Sequence, residues 1–210
     1  MYGIENLPAF ILAAIIVVIT PGIDTIMVLT RSISQGKTAG LYSAIGVSLG
    51  LLVHTCAATF GLSVILAKSA FAYSLIKYLG AAYLIYIGYK SLTAKTSQTE
   101  MTSAEAKPAG NGKMLFTAFL SDVLNPKIAI FFLAFLPQFI NPSAINHPMP
   151  YLLLGSIIFF FTLVWCIILA LLGGKVAVFF NRHKKAEAIM NKTTGVVFIL
   201  LGLKVALSKK

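Results

Sequence analysis

The chain has 210 residues, of which 58% are hydrophobic and only 11% are charged, and its formal net charge is +11. Soluble domains carry about a quarter charged residues, so this composition excludes an ordinary soluble fold and predicts a surface that faces lipid. The basic residues lie in short stretches between apolar runs, which favours lysines that face lipid headgroups over nucleic-acid binding.

Six apolar segments approach the length of about 20 residues that a transmembrane helix needs. A polar stretch, residues 93–113, is rich in Thr, Ser, Glu and Lys and is typical of a flexible cytoplasmic linker. We therefore predict an all-α integral membrane protein with six transmembrane helices in one transporter domain, residues 1–210. The linker would divide it into a first repeat at about 8–92 and a second at about 114–207. The predicted helices cover residues 8–29, 39–67, 71–92, 114–139, 151–172 and 194–207.

The first segment is interrupted by Thr20, Pro21 and Gly22, followed by Asp24. Proline removes a backbone donor and glycine adds flexibility, so the helix should open or kink here. In a membrane, the freed carbonyls and a carboxylate are tolerated only where protein or a water-filled cavity satisfies them. The break therefore predicts a binding site inside the helix bundle. The alternative is a simple proline kink with an aspartate near the membrane interface.

In the second segment a histidine shares a helix face with small residues. Gly46, Gly50 and His54 are four residues apart, together with Tyr42 and Ala58, and small residues at this spacing let helices pack closely. His54 could carry a proton, or it could donate a hydrogen bond to a backbone carbonyl. The sequence leaves both roles open.

The fourth segment repeats the broken pattern with Asp122, Asn125, Pro126 and Lys127. The opposite charges predict a buried pair, in which Lys127 bonds either to Asp122 or, across the bundle, to Asp24. Such a pair could also be purely structural, because breaking a buried pair is costly whatever its role. Aromatic residues in the third and fifth segments, Trp165 among them, are mostly expected to be lipid-facing bulk or interface anchors.

The two halves also resemble each other. Each has three segments, so the second half would enter the membrane in the opposite sense, as in the inverted repeats of many secondary transporters. Chance recurrence of Gly and Lys is the alternative. The loops after segments one, three and five hold most of the Lys and Arg residues, which predicts that they are cytoplasmic and that both termini are periplasmic. The repeated pattern is Lys77, Gly80, Gly88 and Lys90 in segment three and Lys192, Gly195, Gly202 and Lys204 in segment six.

Motifs of enzymes are missing from the sequence. It has no HExxH, no Ser-His-Asp order and no phosphate-binding glycine loop. Cys56 and Cys166 each lie in an apolar run without a CxxC partner, which favours packing over a disulfide or zinc site. We predict no enzyme activity, no cofactor and no metal site.

The run Thr20-Pro21-Gly22-Ile23-Asp24 resembles the L-lysine exporter (LysE) superfamily, and more closely its RhtB branch of homoserine, threonine and leucine exporters. That family usually has proline where this chain has Ile23. The resemblance continues through residues 77–84 and through Asn125-Pro126-Lys127, and so spans nearly the whole chain.

This resemblance implies export of amino acids or close derivatives across a bacterial inner membrane, by a six-helix proton antiporter that can form a homodimer. Helix ends near Pro21 and Pro126 would then hold the carboxylate of the cargo. Asp24 or Asp122 would meet its ammonium group, and one of these carboxylates would carry the coupled proton. Two alternatives remain at this point, a metal-ion exporter of the same superfamily and a membrane scaffold that transports nothing.

Overall fold

A computed structural model of the protein describes residues 2–62, 69–93, 110–182 and 184–207. Most of the predicted linker lies outside these residues. Within them the chain forms helices and turns, and a single isolated bridge joins Ile4 to Ile140. The α-helices are α1 (Leu7–Ile19), α2 (Ile23–Gln35), α3 (Lys37–Cys56), α4 (Ala70–Leu92), α5 (Asn111–Val123), α6 (Pro126–Ile130), α7 (Pro148–Arg182) and α8 (Lys184–Leu207).

Two of the helical segments continue in other helical forms. A π-helical turn, Ala57–Leu62, extends α3. A second π turn, Phe131–Phe135, and a 3-10 turn, Leu136–Phe139, extend α6, and a short 3-10 turn at Pro142–Ala144 precedes α7. π turns inside helices are often found at functional sites.

Two stretches are long and apolar enough to cross a membrane, namely Lys37–Gly61 and Pro148–Lys175. Two further pairs of helices reach that length and apolarity together: α1 with α2, bent by 48°, and α5 with the stretch Pro126–Phe139, bent by 44°. By length and composition the described residues thus contain two spans, or up to four if each bent pair is one span. Helices α4 and α8, with 23 and 24 residues, have the length of a span. The count of six stays a prediction.

The bends fall where the sequence predicts broken helices. α1 ends at Ile19 and α2 begins at Ile23, so the first break spans Thr20 to Gly22. α5 ends at Val123 and α6 begins at Pro126. Proline at the first position of α6 fits there because its missing N–H would have had no helical partner.

The two bent pairs of helices run in opposite directions and contact each other at their breaks, a region that we call the crossing. Near the chain start, the N–H of Glu5 donates to the carbonyl of Phe139 (2.8 Å). Farther along the first pair, Asp24 contacts Asn125, which lies earlier in the second pair. Residue numbers therefore rise along one pair as they fall along the other, and the two breaks meet in the interior.

Glycines set the closest helix contacts around this crossing. On α3, a Cβ added at Gly50 would lie 2.7 Å from the Asp122 carboxylate and 2.8 Å from the Phe119 carbonyl, so α3 packs directly on α5. On α4, a Cβ at Gly88 would lie 2.8 Å from the carbonyl of Gly195 in α8. Small residues permit this approach of backbones, as in membrane helix pairs generally.

The apolar core lies beside the crossing. The ring of Phe139 packs edge-on against Phe10 and Phe135, at centroid distances of 5.2 Å and 4.8 Å. Tyr151 and Leu154 of α7 complete this fully buried cluster. The cluster fixes α1, the end of the second bent pair and α7 relative to one another.

Two helix boundaries differ clearly from the prediction. α7 ends at Arg182, beyond the predicted end at residue 172. α8 begins at Lys184, well before the predicted start at residue 194. A hydropathy window detects only the apolar part of a helix, whereas Lys, Glu and Ala are good helix formers outside the membrane as well. The helix therefore continues beyond the part that could lie in lipid.

Candidate functional site

At the first break a lysine from the second half bonds to the opened backbone. The carbonyl of Val17 would normally accept from the N–H four residues later, but that residue is Pro21, which has none. The Lys127 ammonium group donates to this carbonyl (2.8 Å) and to the carbonyl of Thr20 (3.1 Å). A cation is favourable here because carbonyls at a helix C-terminus carry partial negative charge. Lys127 thus caps the broken end of α1.

At the second break Asn125 has two roles. Its Oδ1 accepts from the N–H of Lys127 (3.0 Å), which caps the start of α6. Its Nδ2 donates to Oδ2 of Asp24 (2.6 Å). The side chain of Asn125 therefore joins the second break to the carboxylate beside the first.

The carboxylates of the site have unused acceptor atoms. Within the described ranges, Oδ1 of Asp24 and both carboxylate oxygens of Asp122 are buried without a hydrogen-bond partner. Asp122 is only 1% exposed. Burying an ionised group without partners is strongly unfavourable, so these oxygens indicate where a proton, water or cationic ligand would bind.

The partner of Lys127 was left open by the sequence. Its ammonium group bonds to backbone carbonyls. Among the described residues, no ion pair within 4.0 Å joins it to Asp24 or to Asp122. The lysine therefore provides positive charge near both carboxylates while its own hydrogen bonds hold the backbone of α1.

His54 lies next to Asp122 but contacts its backbone. Nε2 of His54 is 2.9 Å from the carbonyl oxygen of Asp122, and the imidazole ring stacks on Phe132 at a centroid distance of 5.9 Å. This is the contact expected of a donor to a backbone carbonyl, one of the two roles that the sequence left open.

A small, partly open cavity of about 30 Å³ lies between the broken helices. A water molecule needs about 10 to 15 Å³ on this measure, so the space suits about two waters. Five of the predicted site residues, Thr20, Gly22, Asp24, Asp122 and Lys127, line it. Pro21, Asn125 and Pro126 shape the breaks from just outside the lining, and His54 lies behind Asp122. The other polar or sulfur-containing lining residues are Thr25, Thr162, Trp165 and Cys166.

α7 contributes a wall that the sequence did not reveal. Trp165 and Cys166 follow Thr162 by three and four residues and so lie on the same side of the helix, and all three residues line the cavity. Trp165 is thus an exception to the expectation that most aromatic residues of this segment face lipid or the interface. The sequence did not single it out, because α7 is largely apolar all round and its pattern does not show which face is inward. The one available signal was Thr162, a polar residue within an apolar run.

A larger pocket lies away from the breaks. It has a volume of about 590 Å³ and is lined by residues near Tyr2 and Met149, with His147 as a titratable member. None of the predicted site residues lines it. In the part of the chain that the structure describes, no group of three His, Cys, Asp or Glu side chains could hold a metal ion.

The model of the LysE type translocator family matches residues 15–209 of this chain. The chain belongs to the LysE type translocator family. The match takes in both breaks and the whole cavity, so these features lie in the family's common domain. Members of this family are transporters, and the apolar helices make this translocator a multi-pass membrane protein.

Known relatives cover almost the full length of this translocator. A membrane protein of Bacillus subtilis (strain 168), YrhP, is 36% identical over 97% of this chain and all of its own length. A protein named leucine efflux protein, from Salmonella choleraesuis, is 28% identical over 94% of this chain and 93% of its own length. No solved structure matches the chain. The family and the leucine efflux relatives place this translocator among amino-acid exporters at the level of the family.

Proposed function

We propose that the protein is a secondary transporter that exports an amino acid or close derivative across the bacterial inner membrane in exchange for protons. The observation that carries this proposal is the meeting of two broken, oppositely directed helices at one small cavity. Carboxylates from both halves, Asp24 and Asp122, line that cavity. Broken helices that meet at an interior site are the usual plan of secondary transporters.

The open acceptors suit the ammonium group of an amino acid. An ammonium group has three N–H donors, and the cavity has three carboxylate oxygens without partners among the described residues. Asp24 and Asp122 would therefore share the ammonium group, and either carboxylate would take up the coupled proton once the cargo leaves.

The cargo's carboxylate fits better at the start of α2 than at the start of α6. Gly22, the residue before α2, offers no side-chain cap, so this helix start has no capping side chain with which an anion would have to compete. At α6, Asn125 already accepts from the N–H of Lys127, and Pro126 has no N–H. Of the two helix ends predicted from the sequence, we therefore assign the carboxylate to the one near Pro21.

The cavity is too small for the cargo in this conformation. Pockets for small molecules usually measure about 300 to 1,000 Å³, against about 30 Å³ here. Export would therefore require the helices around the crossing to move apart, first toward one side of the membrane and then toward the other.

We extend the proposal to the arrangement in the membrane. Six spans would form two inverted three-helix repeats, with both termini periplasmic and a homodimer as a possible assembly. The opposite directions of the two bent pairs support the inverted relation. So does the contact of Gly88 with Gly195, because these residues lie in the two segments whose lysine and glycine patterns correspond.

The test is counterflow of labelled amino acids into liposomes that contain the purified protein, beginning with leucine and continuing through the other common amino acids. Asp24→Asn keeps an acceptor for Asn125 but removes the charge. We expect this variant to insert into the membrane normally but to show no counterflow. Ser34→Ala, an exposed change on the same helix, is the matched control. Transport by Asp24→Asn at the wild-type rate would exclude the role of Asp24.

Wild-type behaviour in the same liposomes tests the function itself. Counterflow of an amino acid that speeds up under an imposed pH gradient would support proton antiport. Movement of a divalent metal without amino-acid movement would instead favour the metal-ion exporter. Intact protein that moves neither would favour the scaffold.

A further inference from the structure

We propose that Trp165 binds the cargo directly and that its indole N–H donates a hydrogen bond to the cargo's carboxylate. This rests on the proposed function, and it adds a residue of α7 to the site formed by the broken helices. Trp165 lines the same cavity as Asp24 and Asp122. Its Nε1 is buried and has no hydrogen-bond partner among the residues that the structure describes.

A buried N–H without a partner is unfavourable, and native structures usually satisfy such groups with protein, water or ligand. Among the described residues, the unpartnered side-chain atoms around this cavity are three acceptors, on Asp24 and Asp122, and one donor, on Trp165. A metal ion would match the acceptors but cannot accept from an N–H. An amino acid supplies both complements, ammonium donors for the carboxylates and a carboxylate acceptor for the indole.

Trp165 is also the only tryptophan in the chain. Its fluorescence therefore reports on the cavity without an added label. We expect L-leucine to cause a saturable change in the emission of the purified wild-type protein. L-leucinol, which keeps the ammonium group and side chain but lacks the carboxylate, should bind more weakly.

The decisive measurement compares both ligands on Trp165→Phe, which keeps an aromatic ring and removes the N–H. Binding of radiolabelled leucine gives its affinity, and competition gives that of leucinol. Because hydrogen bonds to charged groups are the stronger ones, we expect leucine to bind about tenfold to a hundredfold more weakly to this variant. The affinity for leucinol should change by less than about threefold, since it has no carboxylate to lose a contact.

Phe160→Leu is the matched control, because Phe160 lies on the same helix and is 60% exposed. It should leave both affinities at their wild-type values. Equal weakening of leucine and leucinol by Trp165→Phe would show a merely structural role and overturn the proposal. So would leucine binding that leaves the tryptophan emission unchanged. Either result would leave wild-type counterflow, and with it the proposed function, intact.

Discussion

At the first break, between α1 and α2, the carbonyl that Pro21 leaves without a partner accepts from Lys127, a residue of the other half of the chain. At the second break, between α5 and α6, Asn125 caps the new helix from within the same segment. The second break is thus satisfied locally and the first is not. The side chains that donate hydrogen bonds from the second break to the first are those of Asn125 and Lys127, both in the second half of the chain. The geometry around Asp24 therefore depends on residues about a hundred positions away in the sequence.

The largest effect is expected from Lys127→Met, which breaks this dependence. The variant leaves the carbonyls of Val17 and Thr20 without a donor and removes the positive charge near Asp24 and Asp122. Removing one member of a buried charged set costs about 3 to 5 kcal/mol. We expect counterflow to fall at least about a hundredfold and the thermal midpoint in detergent to drop, as followed by the monodisperse peak in size-exclusion chromatography.

Lys127→Arg is the matched control because it keeps the charge and several donors. It should retain measurable counterflow and most of the thermal stability. If Lys127→Met transported at the wild-type rate, the capping of α1 by the second half would have no importance for function, and the two breaks would be independent.

Much of this arrangement follows from the sequence. A proline near a charged residue in an apolar run is a local signal, so both breaks could be predicted at Pro21 and Pro126. The partner of Lys127 could not be predicted in this way. It is a backbone carbonyl on a distant helix, and every residue type carries a backbone carbonyl. The alternatives that the sequence offered were both side chains, Asp24 and Asp122.

The wall formed by α7 shows a second limit. An apolar helix in lipid has no polar face that marks its rotation, so the inward position of Trp165 depends on packing against α2 and α3. That packing uses close contacts such as Gly155 against Thr55, which become visible only once the helices are assembled. The sequence thus predicts which segments form helices of the bundle, but it does not predict which side of α7 faces the interior.

An intermediate effect is expected from Gly50→Ala, which tests how tightly α3 packs on α5 beside the second break. The new methyl group would lie 2.7 Å from the carboxylate of Asp122 and 2.8 Å from the carbonyl of Phe119, so α3 and α5 must separate. Overpacking of this kind costs about 1 to 3 kcal/mol. We expect a lower thermal midpoint and weaker leucine binding.

Gly174→Ala on α7 is the control for that variant, since a methyl group there meets nothing within 4 Å. It should be neutral in both measurements. A Gly50→Ala protein as stable as Gly174→Ala would mean that the contact of α3 with Asp122 yields easily. The helix packing around the second break would then be less rigid than we infer from the local cap by Asn125.

The smallest effect is expected from His54→Phe. The variant removes one hydrogen bond to the carbonyl of Asp122, but that carbonyl also accepts from the N–H of Asn125 (2.9 Å) and so keeps a partner. We expect a loss of about 1 kcal/mol and counterflow within about tenfold of the wild-type rate, with His54→Gln closer to wild type because it keeps a donor. Uptake driven by a pH gradient separates the two roles of the histidine. If His54→Phe kept amino-acid exchange but lost its response to the gradient, His54 would be a proton carrier, and the second break would contain a coupling group as well as a cap.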